Sequence, residues 1–257
     1  MLEITPVKAF NDNYLWLFRP SGSKECGIVD PGDASPVLAA LSAGGLTLSA
    51  ILITHHHGDH TGGIAALKAA FDVPVYGPDS PNIPAVTHPL REGDEIDLLG
   101  EHFSILEIPG HTMDHIAYVS RGQAPVLFCG DTLFAGGCGR VFEGTHGMMH
   151  QSLQKLAGLE AGTRVYCAHE YTMSNLAFAH AVTPDDEDLN ARIAREQGKR
   201  DKDLPTVPTT IGEELATNPF LRCNAPEIIE SACAHSGRDL GKPEEVFAAI
   251  RSWKDGF

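Results

Sequence analysis

The residues most able to do chemistry lie in one stretch, Thr54-His55-His56-His57-Gly58-Asp59-His60-Thr61-Gly62-Gly63. In extended backbone His55 and His57, two apart, point the same way, while His56 between them faces away. Asp59 and His60 follow where the chain turns, so they face a second point nearby. The pattern H-x-H-x-D-H therefore offers two neutral imidazoles to one ion and a carboxylate plus an imidazole to another. Three more apolar runs end in residues of the same kind: His111 after Phe103–Ile108, Asp131 after Val126–Cys129, and His169 after Arg164–Ala168. Five histidines and two aspartates suit zinc, iron or manganese; calcium prefers an all-oxygen shell.

The expected arrangement gives His55, His57 and His111 to one ion and Asp59, His60 and His169 to a second. Asp131 bridges the two, and Asp59 and Asp131 are the catalytic carboxylates. Two divalent ions are expected, zinc ahead of iron or manganese. Such ions lower the pKa of bound water from about 15.7 toward roughly 7 and stabilise an oxyanion, which is the chemistry of hydroxide attack on a carbonyl. The sequence holds no G-x-S-x-G elbow, G-x-G-x-x-G or P-loop to compete with this reading.

The positioning elements follow from periodicity. Ala50–Ile53 reads as the end of a buried strand and Ile64–Phe71 as a helix, which puts the histidines on a strand-to-helix loop. Strands are expected at 2–8, 14–18, 26–29, 48–53, 73–76, 95–98, 103–108, 115–119, 126–129 and 164–168, with a helix over 34–46. This alternation predicts an α/β sandwich. Asp30, in Val29-Asp30-Pro31-Gly32-Asp33, is either a turn former or a partner of the histidines. Gly136-Gly137-Cys138-Gly139-Arg140 is expected as a flexible substrate loop presenting Arg140. Beyond Tyr171 no β-rich run follows; helices are expected near 187, 212–216, 225–235 and 243–254. The division is a catalytic domain over 1–171 and a helical domain over 172–257.

Composition narrows the partners. The 257 residues carry a net charge of −15, against the basic footprint of a nucleic-acid binder. No apolar run approaches a membrane span, and Met1–Val7 lacks a secretory pattern, so a cytoplasmic protein is expected. Six cysteines without a C-x-x-C pair read as reduced thiols. Ten of the 19 Lys and Arg residues follow residue 184. Arg251 and Lys254 among them are either a solvated helix face or a clamp for carboxylates.

Taken together, T-H-H-H-x-D-H, G-H-T, G-D-T-L-F with G-G-C-G-R, and A-H-E-Y-T resemble the metallo-β-lactamase superfamily. More narrowly they are similar to the glyoxalase II family. The likeness extends to Asp12-Asn13-Tyr14, Asn218-Pro219-Phe220-Leu221-Arg222 and Arg251-Ser252-Trp253-Lys254-Asp255-Gly256-Phe257. It implies an αββα sandwich with a smaller C-terminal all-α domain, a dinuclear metal centre, and hydrolysis of S-D-lactoylglutathione to D-lactate and glutathione. By position, Arg140, Tyr171, Arg251 and Lys254 match the family's glutathione contacts. Arg140 stands where some members have Lys, and Phe142 where some have Tyr. A small-molecule glutathione thioester is thus the expected partner, with no nucleic acid, no membrane and a monomeric chain.

Two rival activities fit part of this pattern. A single-iron sulfur dioxygenase would leave the second ion's ligands incomplete, whereas Asp59, His60 and His169 are all present. A lactonase or β-lactamase would have no use for the C-terminal helices and their cations.

Overall fold

The computed structural model describes residues 2–122 and 124–257. By internal contacts the chain forms two compact units, residues 1–107 with 114–130, and residues 108–113 with 131–257.

In the first unit β1 (Leu2–Ala9), β2 (Asn13–Pro20) and β3 (Glu25–Val29) run antiparallel. Helix α1 (Ala34–Gly44) then crosses over to β4 (Thr47–Leu52), which lies parallel to β3. The short α2 (Gly58–Thr61) and α3 (Ile64–Ala70) lead to β5 (Val75–Pro78), and β6 (His88–Leu90) extends the parallel part. A second ladder is antiparallel throughout: β7 (Glu95–Leu98), β8 (Glu101–Glu107), β9 (Ile116–Ser120) and β10 (Val126–Gly130). Phe18 of β2, Phe103 of β8 and Phe128 of β10 are fully buried, with Phe18 5.9 and 5.7 Å from the other two rings. Each such side chain contributes about 1.5–3 kcal/mol by leaving water. The mixed sheet's other face is covered by α1 and α3 through Val37, Leu41, Ile64 and Leu67. Strand β4 is apolar to its end, and the chain leaves it straight into Thr54 and His55.

The second unit begins its main segment at Asp131. There β11 (Leu133–Phe134) and β12 (Gly137–Cys138) close a two-residue turn. Helix α4 (His146–Ala157) is followed by β13 (Arg164–Cys167), α5 (Thr172–Val182) and α6 (Glu187–Arg200). Then come β14 (Thr209–Thr210), paired with β13, and α7 (Ile211–Thr217), α8 (Pro226–Ser236) and α9 (Pro243–Asp255). The caps explain where these helices start. Asp186 accepts from Leu189 N, Thr145 and Thr210 cap α4 and α7, and Pro opens α8 and α9.

Three helices, the one-turn α2 and the longer α4 and α5, are absent from the sequence-based reading. Apolar residues occupy most positions of Leu176-Ala177-Phe178-Ala179-His180-Ala181-Val182, so no polar face sets a 3.6 period. In α4 a glycine and two histidines dilute the first turns. The glycine-rich stretch expected as a flexible loop is instead the tight β11–β12 hairpin. Among the described residues no helix is long and apolar enough to cross a membrane. None of the six cysteines forms a disulfide.

Candidate functional site

The first unit gathers His55 and His57 on the loop after β4, and Asp59 and His60 on the short α2 that follows it. Glycine makes the loop possible. A Cβ on Gly32 would overlap the Asp59 carbonyl, and one on Gly63 would overlap the Pro31 carbonyl. Two main-chain segments thus pack backbone to backbone, tied by Gly63 N donating to Pro31 O at 2.8 Å. Asp30 sits at this junction with φ 50, an uncommon conformation for a residue with a side chain.

The Asp30 carboxylate accepts from Thr54 N and from Thr54 Oγ1, both at 2.7 Å. Its Oδ2 also lies 3.1 Å from His60 Nδ1. With the Thr54 hydroxyl proton directed at Asp30, Thr54 Oγ1 accepts from His55 Nδ1 at 3.0 Å. The His55 imidazole is therefore protonated at Nδ1, leaving Nε2 as an electron-pair donor, and the negative charge of Asp30 beside His60 Nδ1 favours the same form there. His60 Nε2 is 3.5 Å from Asp59 Oδ2, and Asn13 Nδ2 donates to that same carboxylate oxygen at 3.0 Å. His56 turns away, as expected, with Nδ1 2.9 Å from Asp114 Oδ1.

His55 Nε2 and His57 Nδ1 face each other 3.1 Å apart. Two nitrogens held at about 2.0–2.1 Å from one tetrahedral ion stand roughly 3.3 Å apart. The pair thus has the spacing of two ligands on one ion, with donor atoms that zinc, iron and manganese all accept.

The second unit gathers His111, Asp131 and His169. Asp131 presents Oδ2 to His111 Nε2 and Oδ1 to His169 Nε2, each at 3.4 Å. One carboxylate thus stands between two candidate ligand imidazoles and meets each through a different oxygen. His111 is oriented from behind, since its Nδ1 donates to Arg140 O at 2.8 Å. His169 stacks on Tyr171 with centroids 4.6 Å apart and planes 3° from parallel. Histidine and aspartate groups able to hold a metal ion occur among the described residues.

The expected substrate residues fall in this unit too. Arg140 is exposed and donates from Nε to Asp255 Oδ1 at 3.2 Å, with Phe142 beneath its guanidinium. Tyr171 is 38% exposed. Arg251 is only 3% exposed, so it is no solvated face. Its Nη1 donates to Cys138 O at 3.0 Å, its Nη2 to Asp255 Oδ1 at 3.1 Å, and Phe220 lies under the guanidinium. Lys254 lies over the Phe178 ring, and burial, with Arg251 alongside, pushes its ammonium down to about 8. Burial pushes the Cys138 thiol up, against the pull of Arg251, so it is not poised as a thiolate.

Thr54, Asp114 and Asp255 play parts that the sequence reading does not assign. Asp255 had a usable signal, because an acid four residues after Arg251 on a helix shares its face. Thr54 and Asp114 carried none.

Comparisons with known proteins decide the family. Residues 11–169 match the family described as "Metallo-beta-lactamase superfamily", and residues 170–257 match "Hydroxyacylglutathione hydrolase C-terminus". A protein named hydroxyacylglutathione hydrolase from Ectopseudomonas mendocina (strain ymp) is 53% identical over 258 residues, covering 100% of both sequences. The chain belongs to the hydroxyacylglutathione hydrolase family of the metallo-β-lactamase superfamily. It is accordingly a metal-dependent hydrolase with the metallo-β-lactamase fold and a C-terminal helical region. Among solved structures, BLEG-1 B3 metallo-β-lactamase is 26% identical with a TM-score of 0.64, covering 86% of this chain and 100% of that one. TTHA1623 in a di-iron-bound form is 28% identical with a TM-score of 0.60, covering 84% and 100%. Divalent metal binding is thus a property of the family and of the donors present.

Proposed function

We propose that the chain cleaves S-D-lactoylglutathione to D-lactate and glutathione with two divalent ions, zinc ahead of iron or manganese. Its full-length relation to proteins of that name, C-terminal helices included, supports the substrate class. The single observation that carries the two-ion reading is Asp131, which offers one oxygen to His111 and the other to His169. His55, His57 and His111 would hold one ion, and Asp59, His60 and His169 the other, with Asp131 shared.

When bound, such ions make hydroxide available near neutral pH and stabilise negative charge on the carbonyl oxygen. The chain's own residues supply the geometry. Thr54, held by Asp30, keeps His55 in the tautomer that donates from Nε2, Arg140 O does the same for His111, and the charge of Asp30 favours it at His60. Asp59, steadied by Asn13, is placed to take a proton from water. The hydroxide oxygen bonds to the thioester's carbonyl carbon, the C–S bond breaks as the carbonyl re-forms, and the sulfur leaves as a thiolate, which needs no strong general acid. Arg140, Tyr171, Arg251 and Lys254 bind the glutathione part. Each charge-assisted hydrogen bond to one of its carboxylates is worth about 1.5–3 kcal/mol. We assign the reaction to residues 1–171, which also bring Arg140 and Tyr171 to glutathione, and the rest of the glutathione binding to 172–257, in a monomer working in the cytoplasm.

The experiment is hydrolysis of S-D-lactoylglutathione by metal-replete protein, beside an Arg251→Ala/Lys254→Ala variant. Turnover by the wild type with a raised KM in the variant supports both parts. Hydrolysis unchanged in the variant removes the clamp, and no hydrolysis with metals bound removes the reaction.

A further inference from the structure

The β11–β12 hairpin is gripped along its main chain by side chains from the C-terminal helices. Asn175 of α5 donates to Ala135 O at 3.1 Å. Glu214 of α7 accepts from Gly136 N at 2.8 Å. Asn218, just after α7, donates to Gly137 O at 2.9 Å, and Arg251 of α9 donates to Cys138 O. Four successive residues are thus held by four side chains, the first three of them 0–2% exposed.

Glu214 and Asn218 are the centre of this grip. Glu214 also accepts from Arg192, from Thr209 Oγ1 at 2.7 Å and from Asn218 Nδ2 at 2.9 Å. Asn218 Oδ1 accepts from Phe220 N at 3.0 Å, which fixes the orientation of its amide. The carboxylate and amide are therefore locked before they reach the hairpin.

Both ends of the hairpin meet candidate metal ligands. Asp131 lies two residues before Leu133. Arg140 lies two residues beyond Cys138, and its carbonyl holds His111 Nδ1. At the base, Gly139 N donates to Thr132 O at 3.1 Å, and a Cβ on Gly139 would overlap the Asp131 carbonyl. A shift of the hairpin along its own axis would move the Asp131 carboxylate and the acceptor that orients His111 together.

We propose that Glu214 and Asn218 are positioning residues for the metal ligands, holding the hairpin whose ends carry Asp131 and orient His111. This rests on Asp131 and His111 being ligands, as proposed above. The competing role is that the buried network only stabilises the helical region.

The test loads the full chain with zinc and titrates it with a chelator of known affinity, following zinc release rather than turnover. Three variants are compared: Asn218→Ala, Glu214→Gln, and Leu189→Val, which thins the core between α5 and α6 without touching the hairpin. Removing a direct partner of a ligand typically weakens metal binding about 10–100-fold; one step further out, Asn218→Ala and Glu214→Gln are expected to release zinc roughly 3–10-fold more readily. Leu189→Val should melt earlier yet keep the wild-type release curve. If the hairpin variants do not fold, Asn175→Ala makes the same measurement. Wild-type release by folded hairpin variants, or an equal shift in Leu189→Val, overturns the proposal. A wild type that holds no zinc, iron or manganese overturns the ligand reading itself, and this proposal with it.

Discussion

Asp30 accepts two hydrogen bonds from Thr54, one from the main-chain N–H and one from the hydroxyl, each at 2.7 Å. Through Thr54 it orients His55, and its Oδ2 stands 3.1 Å from His60 Nδ1. One buried carboxylate thus reaches two histidines assigned to different ions, the first through a hydroxyl and the second by its charge.

Asp30→Asn tests that link. An amide has one acceptor oxygen, so either Thr54 N loses its partner, or Thr54 Oγ1 and His60 Nδ1 lose the oxygen they share. Metal affinity should fall about 10–100-fold, and the buried unmade hydrogen bond should cost roughly 1–3 kcal/mol of stability. Chelator competition and a urea melt read the two separately. An unchanged chelator midpoint in folded protein would show that the relay does not act on the metal.

Gly32→Ala should be worse than its size suggests. The added methyl meets the Asp59 main-chain carbonyl, which cannot rotate away. Overpacking of this kind typically costs about 1–3 kcal/mol. Here it should also displace Asp59, so metal content and the urea midpoint should drop together. Gly58→Ala, where nothing lies within 4 Å of the new methyl, is the matched control.

Lys254 predicts two opposite pH trends. With its ammonium at about 8 in the folded chain and near 10.5 unfolded, the unfolded state binds more protons between those values. Stability should therefore rise with pH across that window. Over the same window the folded chain loses a cation assigned to glutathione, so KM should climb above pH 8. Lys254→Arg keeps its charge, and its KM profile should stay flat to pH 10. A wild-type KM that is equally flat would remove Lys254 from the binding site.

Arg251→Lys separates charge from shape. Arg251 reaches Cys138 O and Asp255 through different nitrogens, and a single ammonium cannot span both. A lysine likewise cannot meet a glutathione carboxylate with two parallel N–H bonds, and loss of one such charge-assisted bond, about 1.5–3 kcal/mol, corresponds to roughly 10–150-fold. It should fall on KM, with kcat changed less than about threefold. A kcat loss at constant KM would place Arg251 with the metal ligands instead.

The candidate metal ligands stood out in the sequence because their types are rare and their spacing is local. His55, His57, Asp59 and His60 lie within six residues, and the strands leading to His111, Asp131 and His169 read as apolar runs. The parts that escaped depend on distance in sequence. Asp114 meets His56 across 58 positions and Glu214 meets Gly136 across 78, and no periodicity encodes either pairing. Helix α5 escaped for the opposite reason, since it is apolar on nearly every side. The C-terminal helices read well wherever caps marked them, as at Asp186, Pro226 and Pro243.

The most direct test of the two-ion account is reconstitution. Metal-free protein is titrated with zinc while S-D-lactoylglutathione hydrolysis and bound zinc are followed together. The account predicts activity that reaches its plateau at two ions per chain and is lost in Asp131→Ala. A plateau at one ion, or hydrolysis that persists without metal, would contradict it.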